Sequence, residues 1–136
     1  MHEIALAESV MATALNTARK RQSPVLRLIV KVGQLQQIET DVLRQCLHGV
    51  HPHNEPLLEE MAIVLETEPA GFVCRACTRS FGLDDLSAPP DDVELEAIHF
   101  IPELAHSYIQ CPSCHGPDFD VAAGRGVWID RIETAA

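Results

Sequence analysis

Two Cys-x-x-Cys pairs, Cys74-Arg-Ala-Cys77 and Cys111-Pro-Ser-Cys114, constrain this chain more than any other feature. Each pair sets two thiols within reach of one ion, and two pairs supply the four thiolates of a closed tetrahedral zinc site. A site closed by four sulfurs has no open position for a reacting water. Cys74, Cys77, Cys111 and Cys114 therefore read as ligands of a structural Zn(II) that staples a small module. Iron also suits an all-sulfur site by ligand softness. A redox dithiol would show one pair at a helix start, whereas two pairs flanking one loop do not. His115 follows Cys114 directly, but four thiolates already fill the shell.

Of the 136 residues, 20 are Asp or Glu and 10 are Lys or Arg, a formal charge of -10. Four thiolates around zinc would add two more negative charges. So acidic a surface repels phosphates, which makes nucleic acid a poor partner even though zinc ribbons are common in nucleic-acid machinery. The fifth cysteine, Cys46, falls on the apolar face of a predicted helix and reads as a small buried hydrophobe. Reduced, metal-bound thiols suit a reducing compartment. Residues 1–22 are acidic first and basic last, unlike a secretory signal, and no apolar run is long enough for a membrane span. The expected location is cytoplasmic.

Residues 3–21 predict a helix, with Ile4, Ala7, Met11, Ala14 and Ala18 at spacings of three and four. Ser23-Pro24 should stop it. Residues 25–32 predict a strand with Leu26, Leu28, Val30 and Val32 on one face and Arg27 and Lys31 on the other. A second helix is expected over 40–50, with Thr40 as N-cap and Leu43, Cys46, Leu47 and Val50 as its buried stripe. His51 to Pro56 reads as a turn, in which His51 and His53 are a weak metal signal. Leu57 to Glu68 reads as a second strand. Asp84 to Asp92 should be a solvated loop. Val93 to Tyr108 fits either a short helix or a hairpin. Gly126 to Glu133 reads as a third strand, and it needs partners that only the first unit offers.

No Gly-x-Ser-x-Gly, P-loop or Gly-x-Gly-x-x-Gly motif is present, so nothing marks an enzyme. The amino terminus carries different chemistry. The amine of Met1, the backbone nitrogens of His2 and Glu3, and a ring nitrogen of His2 lie within one short stretch. Donors of this kind in a plane suit Ni(II) or Cu(II) rather than Zn(II). The amine loses its proton within reach of neutral pH. Glu3 would orient the ring or supply an oxygen. Such a site is exposed and exchangeable, as a carrier requires.

The ordered set of Met1-His2-Glu3, an Ala-rich amphipathic helix, Lys31-Val32-Gly33-Gln34-Leu35, the two cysteine pairs, and Gly124-Arg125 before a last strand resembles the HypA/HybF family of hydrogenase nickel-insertion accessory proteins. The resemblance implies an α+β fold. A nickel-binding domain of two helices on a three-stranded sheet (1–71, completed by the strand at 121–136) is joined to a small zinc-ribbon-like domain held by four cysteines (72–120). It implies transported Ni(II) at Met1, His2 and Glu3, and structural Zn(II) at Cys74, Cys77, Cys111 and Cys114. An insert histidine, His99 or His106, is a further candidate nickel ligand. Implied partners are a nickel-handling GTPase and the large subunit of [NiFe]-hydrogenase, with urease maturation and homodimers in some members. Three departures stand out: Thr78 and His115 replace the Gly that usually follows each pair, Gly126 replaces a Glu after Gly124-Arg125, and the insert between the pairs is long. The rival readings are a zinc-ribbon interaction module that transports no metal and a dithiol oxidoreductase.

Overall fold

The computed structural model describes residues 2–135; Met1, Ala136 and the side chain of His2 lie outside the described residues. The chain divides into two compact units. The first holds residues 1–32, 38–66 and 127–136, and the second holds residues 33–37 and 67–126. The fold is α+β. Among the described residues, no helix is long and apolar enough to cross a membrane.

In the first unit, α1 (His2–Arg21) and α2 (Thr40–Val50) pack with a sheet of β1 (Val25–Gly33), β2 (Ala62–Glu68) and β6 (Val127–Thr134). The strand order is β2-β1-β6, so the last strand of the chain returns to the first sheet. Ala7, Ala14 and Ala18 are fully buried on α1. They form the seam of small residues that lets α1 lie close on its neighbours. Gln22 closes the helix at φ 50, with Ser23 N–H reaching back to the Ala18 carbonyl, so the stop comes one residue ahead of Ser23-Pro24.

Within β1, Leu28, Val30 and Val32 face the core as the alternation predicts, but Leu26 is 45% exposed and Val25 is buried instead. The cause is a β-bulge. The register with β6 passes from Val25↔Thr134 to Arg27↔Glu133, which leaves Leu26 unpaired and inverts the phase ahead of it. A second irregularity skips Asp130 and lets Ile129 and Ile132 both pack on the core. On the opposite face, Arg27 pairs with Glu133 at 3.8 Å and Lys31 with Glu66 at 2.8 Å. The Lys31 ammonium holds the Glu66 carboxyl below its ordinary value.

Three other expectations are corrected. The N-cap of α2 is Glu39, because its carbonyl already accepts from Leu43 N–H; Thr40 is the first helical residue. Leu57 to Glu60 form turns rather than strand, since Leu58 N–H bonds to the Glu55 carbonyl and Met61 N–H to that of Leu58. The strand starts only at Ala62. Cys46 is half-buried against the core rather than enclosed.

The second unit carries a sheet of order β4-β3-β5, from β3 (Gly71–Cys74), β4 (Ser80–Phe81) and β5 (Phe119–Ala123). Phe72, Phe81 and Phe119 meet with ring centroids 5.2 to 6.0 Å apart, two of the three pairs edge to face. After β4, the rest of the insert between the cysteine pairs carries helix, with α3 (Asp92–Phe100), a 3-10 turn at Pro102–Leu104, and α4 (Ala105–Tyr108). Ile98, Ala105 and Ile109 from this stretch join the aromatic core.

Candidate metal centre

Each cysteine pair sits on a tight turn, and the two turns are built alike. The first follows β3, where the Cys74 carbonyl accepts from Thr78 N–H at 2.9 Å and the Cys74 N–H donates to the Arg79 carbonyl at 2.9 Å. The second follows α4. There the Cys111 carbonyl accepts from His115 N–H at 2.8 Å and the Cys111 N–H donates to the Gly116 carbonyl at 3.0 Å. Both turns close on a residue in the left-handed region, Thr78 at φ 66 and His115 at φ 60. Glycine occupies such positions at least cost. A β-branched threonine does so under strain.

The turns bring the four sulfurs together. Cys74 Sγ is 3.5 Å from Cys114 Sγ, and Cys77 Sγ is 3.5 Å from Cys111 Sγ. All four lie within 4.8 Å of one another. A tetrahedral zinc–sulfur centre with bonds of about 2.3 Å has S···S edges of about 3.8 Å. The observed spacings straddle that value, so the sulfurs fit one tetrahedral ion with adjustments of well under an ångström each. Cys74 and Cys111 are buried, while Cys77 and Cys114 face solvent.

The thiols are poised unequally. Cys74 is lowered below its ordinary value, first by the Cys77 backbone N–H and also by that of Ala76. Cys111 is brought down to about 6, first by the Cys114 N–H and then, against the cost of burial, by that of Ser113. Their partners go the other way. Cys114 accepts from Gly116 N–H, which lowers it. The hydrogen bond with Cys74, burial and the other two sulfurs outweigh that and push it up to about 11. In Cys77 a lowering contact from the Arg79 backbone is outweighed by Cys111, burial and Cys74. The leading cysteine of each turn is thus the readier to ionise and the trailing one the readier to keep its proton. A divalent cation would displace the protons that remain.

Two arginines brace the first turn, one against β5 and one against the second turn, and sequence reasoning missed both. Arg75, inside the first pair, reaches the carboxylates of Asp118 and Asp120, which flank the start of β5. This contact raises the guanidinium and lowers Asp120. Arg79 donates to Ser113 Oγ inside the second pair at 2.8 Å. The partners stand 34 to 45 positions apart in the chain, so no local pattern announces them.

Met1 and the His2 side chain lie outside the described residues; the backbone of α1 begins at His2, with Glu3 in its first turn. His99 and His106 belong to the second unit, and His106 Nδ1 lies 2.7 Å from the Pro117 carbonyl oxygen. The His51 ring hydrogen-bonds to the Leu58 carbonyl oxygen. His51 therefore pins its turn, and its ring centroid stands 6.5 Å from that of His53. Among the described residues, the four cysteines form the one group of three or more metal-capable side chains.

A family model described as hydrogenase/urease nickel incorporation, metallochaperone, HypA, matches residues 1–134. The chain is 38% identical to hydrogenase maturation factor HypA of Pyrococcus abyssi over 138 aligned positions, covering 98% of this chain and 95% of the relative. The protein of the same name from Pyrococcus horikoshii is 36% identical, with 98% and 95% covered. Among solved structures, the solution structure of the Ni metallochaperone HypA from Helicobacter pylori superposes with TM-score 0.59 at 16% identity, over 98% of this chain and 97% of the other. A solution structure of HypA protein gives 0.65 at 16% identity, over 98% and 96%. At such identities the superpositions speak for the fold.

Proposed function

This chain belongs to the HypA family of hydrogenase/urease nickel-incorporation metallochaperones, which are maturation factors and not enzymes, and from that premise we propose that it carries Ni(II) on Met1, His2 and Glu3. The cargo would be held by the terminal amine, backbone nitrogens and the His2 ring. Cys74, Cys77, Cys111 and Cys114 would hold a resident Zn(II) that supports the second unit and sets its pose as a partner surface. The first unit takes the role of nickel domain and the second that of zinc domain.

The observation that carries this reading is the closure of the sulfur site. Two of its four thiols are buried, and four thiolates saturate a tetrahedral ion. A cargo ion must leave, so it belongs elsewhere. Among the described residues no second group of three metal-capable side chains exists, which turns attention to the amino terminus. A helix leaves its first amides without intrahelical partners, and α1 starts at His2.

Delivery would go to the large subunit of a [NiFe]-hydrogenase in the cytoplasm, alongside a nickel-handling GTPase, with urease as a second client and a homodimer as a further state. The test is isothermal titration of Ni(II) into zinc-loaded protein whose first residue is Met1. His2→Ala should abolish stoichiometric nickel binding while zinc content and fold persist. A residue added ahead of Met1 should weaken binding as well, because the amine becomes a peptide nitrogen. Undiminished affinity in His2→Ala would overturn the site. Failure of the parent protein to bind nickel at all would favour a zinc-ribbon interaction module.

A further inference from the structure

Helix α3 is apolar on two opposite faces. On one, Ile98 is 3% exposed and Leu95 packs beside it on the core of the second unit. On the other, Val93 is 78% and Phe100 66% exposed, and Ile101, which caps the helix, is 54% exposed. At about 100° per residue, Val93 and Phe100 fall within roughly 20° of each other and nearly opposite Leu95 and Ile98. A surface helix needs one apolar stripe for its own core. A second stripe, with three large side chains in water, marks an interaction site.

This helix is a firmly built element. Asp91 accepts from Glu94 N–H at 2.8 Å, and the Glu94 carboxylate accepts from Asp91 N–H at 3.0 Å, a complete capping box. The segment that carries it holds one sign of charge, and Arg125 shares a cavity with Ile98 and His99, not with Val93 or Phe100. Between Arg79 and Arg125 the sequence has nine Asp and Glu and not one Lys or Arg. Asp91, Asp92 and Glu96 are exposed on or beside α3, as are Asp84 and Asp85 on the turn before it.

We propose that the Val93, Phe100 and Ile101 face of α3 is a docking surface for a helical segment of another protein, one that presents apolar side chains flanked by Lys and Arg. Spacing of one and two turns between apolar anchors is how helices recognise one another. The carboxylate surround draws a basic partner and rejects an acidic one. Pairing two copies of this face about a two-fold axis would set the carboxylates against themselves. The proposal is independent of where nickel binds.

The test titrates full-length, zinc-loaded protein into a fluorescent synthetic amphipathic helix of Leu and Lys, and into its Leu and Glu counterpart, at physiological salt. The Leu/Lys peptide should bind and the Leu/Glu peptide should not. Val93→Ser with Phe100→Ser should weaken binding at least about tenfold, as loss of two interface anchors does. Both side chains are exposed, so zinc content and circular dichroism should be unchanged; should the double variant lose zinc, Val93→Ser alone should still weaken binding by about threefold. Equal affinity of variant and parent would reduce the attraction to bulk charge and overturn the proposal. Sedimentation that shows a parent dimer, absent in the double variant, would assign the face to a second copy and also overturn it.

Discussion

Gly124→Ala should be among the most damaging single-methyl changes in this protein. Gly124 sits at φ +94, and a Cβ there would stand 2.5 Å from the Ala70 Cα and 2.9 Å from its nitrogen. The obstacle is backbone, so nothing flexible can yield. The Gly124 carbonyl also accepts from Leu35 N–H at 2.9 Å, and its own N–H donates to the Glu68 carboxylate at 2.7 Å. A Cβ on Gly33 would strike the same Gly124 carbonyl at 2.3 Å. Three stretches distant in sequence therefore touch through two glycines. Placing an L-residue at positive φ costs about 1–2 kcal/mol. Separating the stretches loses two hydrogen bonds at about 1 kcal/mol each, more for the one to a carboxylate. The sum is about 3–5 kcal/mol. The assay is urea unfolding of zinc-loaded protein, followed by circular dichroism and by zinc release to a chromophoric chelator. Gly49→Ala is the control, because its Cβ meets nothing within 4 Å. It lies inside α2 and should stabilise by about 0.5–1 kcal/mol. A Gly124→Ala protein within about 1 kcal/mol of the parent would refute the close-approach reasoning.

Other outcomes are expected. Thr78→Gly should relieve the left-handed strain at φ 66 and stabilise the zinc-loaded protein by about 0.5–1 kcal/mol after glycine's own entropy cost; a fall in the unfolding midpoint would contradict this. Zinc uptake near pH 7.5 should release fewer than four protons, since Cys111 at about 6 is already ionised while the raised Cys77 and Cys114 still hold theirs. The sign follows from this: as pH falls through the Cys111 value more protons must be displaced, and affinity drops. Calorimetry in buffers of different ionisation enthalpy counts the protons, and about four near pH 7.5 would show that the turns do not poise the sulfurs. Ala14→Leu, which forces a large side chain into the fully buried seam of α1, should cost about 1–3 kcal/mol, read from the unfolding midpoint.

Much of the fold is legible because it rests on local periodicity. The alanine spacing of α1, the alternation from Leu28 to Val32 and the stripe of α2 each need only their own segment. What the sequence hid is non-local or depends on one inserted residue. The Leu26 bulge inverts a face by a register shift against β6, and residues 57–60 have strand-like composition but turn hydrogen bonds. Val93 to Tyr108 is ambiguous by pattern because α3 is apolar on both sides. Strand β5 escaped notice because it begins in the polar Asp118-Phe119-Asp120 stretch, where Asp120 serves Arg75. At the metal centre, the spacing of the cysteines foretold that their sulfurs would meet. The fine structure did not follow from it, since the inequality of the thiols arises from turn amides and the Arg79 to Ser113 link spans 34 positions. The absence of glycine after each pair is visible in sequence, but its consequence, two side chains at positive φ, is visible only in three dimensions.

X-ray absorption at both metal edges, on untagged protein starting at Met1 and loaded with one equivalent each of zinc and nickel, separates a resident ion from a carried one. The zinc edge should show four sulfurs at about 2.3 Å, and the nickel edge only nitrogen and oxygen, altered by His2→Ala while zinc stays unchanged. Sulfur around nickel, or a nickel spectrum indifferent to His2, would contradict the division of labour between the chain's first residues and its four cysteines.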